Sequence, residues 1–519
     1  MNMKIKMLIF VLTMCVAATA VSGCKSSTGS DDVQAEPSGE KKLVFGSTQG
    51  AQTVNPADGY QGWYTIRYGV GETLFKLDDT LEPQPWLATD YQLEEDKLTW
   101  IITIRDGVTF QSGNPMDAAA VKACLERTVQ MNDRAPTDLM IDSMEADGQM
   151  LTIKTTAVNP TLINSLCDPY ACIIDTASDT DMSVHPMGTG PYMVETLEEG
   201  RQVVLIPNSS YWDGAPKLDK VVIKEVTDGD TLTMALQSQE VDAAEGIPYS
   251  NQALFEEDDN YKISGTATSR VFKLYYNFDN KHLSNANVRK ALNKLIDKAG
   301  FGSIILNGSG TPATGAFPGS SPYGEGLKAT EFDVEGAKEL LKQEGYEDTD
   351  GDGFLDKDGE KLSFRLVTYG SRAELPILSD AIQSQYRDVG IDMSIEVSDN
   401  CDELLAAGDF DISAYAYVTL PTGDPLSYLN FVVRTQGGRN YGRYSNEQVD
   451  RLLTQLGSEI DLEQRYELAQ QVQQIILEED AYCFMEYLNM AFVMKKGVSG
   501  LKVHPADYYQ INVDTDISE

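Results

Sequence analysis

From Asp348 to Gly359 the chain reads Asp-Thr-Asp-Gly-Asp-Gly-Phe-Leu-Asp-Lys-Asp-Gly, with carboxylates at alternate positions and Gly353 at the sixth. That spacing matches the first half of a calcium loop, in which oxygen ligands wrap a hard cation around a glycine turn. Asp348, Asp350, Asp352 and Asp356 are the candidate ligands. The twelfth position is Gly359 where a bidentate glutamate belongs, with Glu360 beside it. An Asp-Gly-rich surface turn before the strand Lys361–Thr368 accounts for the same residues and takes precedence. Other chemistry is sparse. The chain has no P-loop, no H-E-x-x-H, no zinc-type C-x-x-C pair and no nucleophile elbow. Its three histidines, His185, His282 and His504, lie far apart. A secreted hydrolase therefore finds no catalytic constellation, and the expectation is a protein that is not an enzyme.

The N-terminus speaks to compartment. Lys4 and Lys6 precede the apolar run Met7–Val21, and Ser22-Gly23-Cys24 follow. A basic start, a short apolar stretch and small residues before a cut site make residues 1–23 a secretory signal. Cys24 resembles the acylated cysteine of a bacterial lipobox, which predicts a lipid anchor on the extracytoplasmic face of the cell membrane. Residues 24–42 are rich in Ser, Gly and acids, too polar to offset their ordering entropy, and read as a flexible tether. Removing residues 1–23 leaves 39 basic against 80 acidic residues, a net charge of −41. So acidic a chain excludes nucleic acid as a partner, because phosphate binding needs basic patches. Of seven cysteines, Cys15 lies in the signal and Cys24 is the anchor, leaving Cys124, Cys167, Cys172, Cys401 and Cys483. Cys167 and Cys172 either bridge locally or pack, and buried thiols are the expectation.

Any site must be held by the elements around it. Leu98–Arg105, Leu151–Thr155, Gln202–Pro207 and Val221–Lys224 read as strands from their β-branched and aromatic content. Helical spacing appears at Asp117–Gln130, Asn287–Ala299, Asp333–Glu344, Leu375–Val389 and Asn446–Glu479, with Asp117 as an N-cap. The mixture predicts an α/β fold with more than one lobe.

Several ordered segments resemble the peptide/nickel-type (family 5) solute-binding proteins of ABC importers. They are Glu82-Pro-Gln-Pro-Trp-Leu-Ala88, the strand to Arg105, Asp106–Phe110, Gly113–Asp117, Gly188-Thr-Gly-Pro-Tyr192, Asn208–Pro216, Met234–Asp242, Tyr276-Asn-Phe278 and Val288–Leu292. The resemblance implies a periplasmic-binding-protein-like fold, two lobes around a ligand cleft with a subdomain inserted in the first. Lobe I would comprise 43–81, 186–269 and the return 497–519; the insertion 82–185; and lobe II 270–496. It implies a monomer that captures a small ligand for ABC permease subunits and touches the membrane only through its lipid.

The likeness is closest to nickel- or metallophore-binding members, with a di- or oligopeptide as the alternative ligand. It implies a cleft lined at Tyr60, Trp63, Tyr64, Arg134 and Thr419–Asp424. Two departures bear on cargo. The arginine that such relatives carry after Leu-Cys is Asp168, and their coordinating histidine falls near Gly437, with no histidine between His282 and His504. Nickel, if it is the cargo, would arrive already chelated, and no cofactor is required. Arg134 and Arg434 could clamp ligand carboxylates through their forked donors, or serve surface ion pairs. Asp424 stands where peptide-binding relatives recognise an ammonium, or is a turn residue before Pro425. Asn440 and Tyr441 could donate hydrogen bonds from a loop. Tyr60 and Trp63 could stack on a ligand or simply pack.

Overall fold

The computed structural model describes residues 40–372 and 374–518. The signal segment, Cys24 and the tether up to residue 39 lie outside the described residues. Among those described, no helix is long and apolar enough to cross a membrane.

One eleven-stranded mixed sheet organises the fold. Its middle is a pair of long antiparallel strands, Tyr261–Tyr276 and Tyr482–Lys495. On one side Ala243–Glu245, Lys42–Ser47 and Lys220–Glu225 pair, with Lys42–Ser47 parallel to both neighbours. On the other, Ile412–Val418, Ser363–Thr368 and Asp392–Val397 follow, the last three mutually parallel. Parallel pairing at both ends requires helical crossovers, and those helices cover the sheet as α/β lobes. A separate antiparallel sheet, Ala88–Leu93, Thr99–Ile104, Met150–Thr155 and Ile141–Asp147, forms the inserted body. The architecture is periplasmic-binding-protein-like, two lobes around a cleft.

Local physics accounts for the elements. Thr99–Ile104 alternates so that Trp100, Ile102 and Ile104 are buried. Asp117 caps the helix Ala118–Met131 by accepting from the Ala120 amide at 2.9 Å. The single helix expected over Asn446–Glu479 is two, Glu447–Leu456 and Leu462–Glu478. Gly457 ends the first, and Asp461 nucleates the second by accepting from the Gln464 amide at 3.0 Å. The break lets both faces reach the core, with Leu453 and Leu456 from one and Ala469, Val472 and Ile476 from the other.

One irregularity matters for the site. The pairing of the two long strands shifts register between Ala267 and Val271, and Arg270 sits in the shifted stretch. Such a shift bends a strand and re-aims a side chain. Here the side chain is a guanidinium.

Candidate functional site

A cavity of about 840 Å³ opens between the inserted body and the strands Tyr261–Tyr276 and Ile412–Val418. That suits a small molecule and is far larger than a bare ion requires. Neither histidine nor cysteine lines it. Each histidine is engaged elsewhere: His185 with the Val194 carbonyl at 3.1 Å, His282 with the Tyr346 hydroxyl at 2.7 Å, His504 with the Asp78 carbonyl at 3.1 Å.

The walls differ in charge. On the inserted-body side, Arg134 lies between the rings of Tyr60 (4.4 Å) and Tyr170 (4.8 Å) and forks onto Asp168 at 2.9 and 3.2 Å. Burial opposes the Arg134 charge, yet the Asp168 carboxylate outweighs it and holds the group more firmly protonated than usual. Asp138, on the same wall, has only the Tyr170 hydroxyl at 3.3 Å. Burial, and then the nearby Asp168 charge, push its carboxyl up to about 6.

The opposite wall carries Arg270, Arg372 and Arg439. Arg439 is occupied, donating to the Tyr415 hydroxyl at 2.7 Å and facing Asp402 at 3.3 Å. Arg270 is not. It is 9 % exposed, its buried Nε has no partner, and its nearest carboxylate, Asp507 at 3.9 Å, is already bonded by Arg67. Arg372 makes no ion pair among the described residues. Burial, and then repulsion from Arg372, lower the Arg270 pKa to about 10. A buried guanidinium with an unpartnered Nε, beside a second arginine, has the chemistry to receive an anion such as a carboxylate.

Residues 82–440 match the family described as bacterial extracellular solute-binding proteins, family 5 middle. The chain belongs to that family. Family 5 members are the substrate-binding components of ABC importers, transport proteins rather than enzymes, and they work with permease subunits and bind small ligands or peptides. The nickel-binding protein NikA of Staphylococcus aureus is 30% identical over 459 residues, 88% of this chain and 91% of that one. Its structure in complex with Ni(L-His)2 superposes with a TM-score of 0.79 at 29% identity, covering 92% of this chain and 100% of that one. A nickel ABC transporter structure from Bacillus halodurans gives a TM-score of 0.79 at 30% identity, with 92% and 100% covered. The glutathione-binding protein GsiB of Salmonella paratyphi A is 29% identical over 451 residues, 83% of this chain and 86% of that one.

In this family 5 protein the residues singled out from sequence divide sharply. Tyr60, Trp63, Arg134 and Asp424 line the cavity; Tyr64, Thr419, Arg434, Asn440 and Tyr441 do not. Tyr64 leans on Tyr68, ring centroids 5.7 Å apart. Thr419 is fully buried and donates its hydroxyl to the Ser269 carbonyl at 3.0 Å, latching the loop onto the register shift. Arg434 donates to the Asn430 side chain at 2.9 Å and so buttresses a lining residue from behind. A π-helical turn, Leu429–Val433, brings Asn430 and Phe431 to the cavity. Asn440 spends its amide on the carbonyls of Arg434, Thr435 and Tyr444. Tyr441 packs edge-on against Tyr275 at 5.6 Å. Asp424 is capped and neutralised: it accepts from the Leu426 amide at 2.8 Å and pairs with buried Arg465. It therefore serves as a turn and core residue, with its charge already matched.

Sequence reasoning did not single out Arg270, Arg372, Arg439 or Asp138 as site residues, although Arg372 and Arg439 lie in segments that carry the resemblance. A lone arginine directly before the apolar and aromatic run that begins at Val271 was the available signal for Arg270.

The Asp348 loop is a turn. Asp348 accepts from the Gly351 and Gly353 amides at 2.8 and 3.1 Å, and Asp356 from the Thr349 amide at 2.9 Å. Asp352, offered as a ligand, points to Lys361 at 2.7 Å instead. Ligand oxygens of Asp348, Asp350 and Asp356 lie within 4.8 Å of one another on the surface. The loop's own amides account for their positions, so the four-carboxylate calcium set is not assembled. Cys124, Cys167, Cys172, Cys401 and Cys483 are buried free thiols.

Proposed function

We propose that this protein captures a carboxylate-bearing small ligand, foremost a nickel–amino-acid chelate, and hands it to the importer's permease. The observation that carries this is Arg270, buried, repelled by the partly exposed Arg372 and with its Nε unpartnered among the described residues. A ligand carboxylate would satisfy Arg270 and offset that repulsion. Chelated rather than bare nickel follows from the cavity's lack of histidine and cysteine, and from Asp348, Asp350 and Asp356 being the single acid cluster of metal-binding geometry among the described residues. A small peptide is the second reading, favoured by the glutathione-binding relative, since it offers carboxylates to the same wall. The neutralised Asp424 argues against ammonium recognition at that residue.

Lobe I (43–81, 186–269, 497–519) and lobe II (270–496) would close over the ligand about the crossing at Ser269–Arg270, shifting an open–closed population. A signal over 1–23 and acylation at Cys24 would hold a monomer to the membrane; a Cys24→Ala chain should lose its lipid, read by mass spectrometry. The ligand reading is tested by calorimetric titration with nickel–histidine. Wild type should bind, and Arg270→Gln should lose about a hundredfold in affinity, as expected for removing a buried charge-assisted contact. Equal affinity in the variant removes the carboxylate clamp.

A further inference from the structure

Resting on the carboxylate reading above, we infer that Asp138 is the opposite pole of the same site, accepting an N–H donor from the ligand, so that the cavity selects amphoteric ligands. The geometry has three parts. Asp138 lines the cavity, and its carboxylate has a single long hydrogen bond, 3.3 Å from the Tyr170 hydroxyl. Of the other carboxylates of that wall, Asp168 is spent on Arg134 and on the Tyr170 amide at 3.1 Å, and Asp133 is exposed to solvent, whereas Asp138 is half-buried. Across the cavity stands a buried guanidinium with an orphaned Nε, which marks the space as built for a polar occupant. Carboxylate acceptor on one side and guanidinium donors on the other match a molecule bearing both N–H and carboxylate groups. Amino-acid chelates, with amine and imidazole N–H, and small peptides engage both poles; purely carboxylic chelates engage the guanidinium wall alone and bind more weakly.

The groups facing Asp138 fix its pH response. Asp168 repels it, Arg134 stabilises it and Tyr170 donates to it, while Arg439 and Tyr417 lie on the far wall. Burial and Asp168 outweigh Arg134, and the carboxyl titrates at about 6. An acid must be ionised to accept a charge-assisted bond, so this contribution to binding is present above that value and fades as pH falls through it.

The experiment uses the mature chain and three probes: nickel–histidine, nickel–citrate, which has no N–H, and the metal-free dipeptide glycylglycine. At pH 7.5, Asp138→Asn should weaken nickel–histidine or glycylglycine about tenfold and leave nickel–citrate unchanged, as expected for loss of one charge-assisted bond. Asp138→Glu should keep most of the affinity, and an unchanged melting temperature certifies the fold. Lowering pH to 5.5 should shrink the wild-type-to-Asn ratio toward one, since protonation of the probe itself affects both proteins alike. Equal affinity of wild type and Asp138→Asn for every N–H-bearing probe overturns the inference. Arg270→Gln with undiminished affinity overturns the carboxylate reading alone, and a wild type that binds none of the three overturns both.

Discussion

Arg134 and Arg270 face one cavity from opposite walls and have done different things with their charge. Arg134 is sandwiched between two tyrosines and closed off by Asp168 in a two-pronged pair. Arg270 is more deeply buried, yet its nearest carboxylate is 3.9 Å away and belongs to another arginine. A buried charge without a partner costs several kcal/mol, a cost that persists in a fold only where something else is served. The first arginine shapes the wall; the second is left with its Nε unpartnered among the described residues. Charge density alone would have ranked them equal.

That contrast can be broken most directly at Asp168. Asp168→Asn strips Arg134 of its partner inside the wall and should cost about 3 kcal/mol of stability, the usual scale for orphaning a buried charge. The same variant should bind nickel–citrate more tightly than wild type, because the Arg134 guanidinium, freed of its partner, now also offers its charge to the cavity. Denaturant melts and calorimetry read the two effects; tighter melting or unchanged citrate affinity would erase the distinction between the arginines.

Glu486 sharpens it from outside the cavity. This residue is fully buried, and neither carboxylate oxygen finds a hydrogen-bond partner among the described residues. Burial pushes its carboxyl up to about 8. Because the folded pKa lies above the unfolded value of about 4.3, stability drains as pH rises between those values and levels off beyond the higher one. Glu486→Gln should therefore match wild type near pH 4 and exceed it by several kcal/mol at pH 9, with ligand affinity untouched. An unsatisfied group away from the cavity should govern pH stability, and one inside it should govern binding.

The smallest effects are expected where sequence placed candidates and the fold satisfied them. Arg434→Ala and Asp348→Asn should each change nickel–histidine affinity by less than about twofold, since neither faces the cavity. Calcium should leave the melting temperature of wild type where it was. A loss of binding in Arg434→Ala would return that residue to the clamp.

Legibility followed the range of the interaction. Capped helices such as Ala118–Met131 and alternating strands such as Thr99–Ile104 were readable because their causes, a cap and a period, lie within a few residues. The Asp348 loop was readable as a turn for the same reason. The helix break at Gly457 was missed because amphipathic spacing on both sides read as continuous, although Gly457 and the Asp461 cap are local stop and start signals. Tyr60, Trp63 and Arg134 were found at the cavity by resemblance; nothing local to Arg270, Arg372 or Asp138 says that their side chains meet in one cavity.

By itself the sequence determined the fold class and the family, and it spaced the three histidines too far apart for a local cluster. Only the tertiary structure decided which charges are spent. Asp424 meets Arg465 across 41 residues, Arg134 meets Asp168 across 34, and Arg67 takes Asp507 from Arg270 across 440. Pairing of charges is settled by distance and desolvation in three dimensions, and neither is written in the order of the chain.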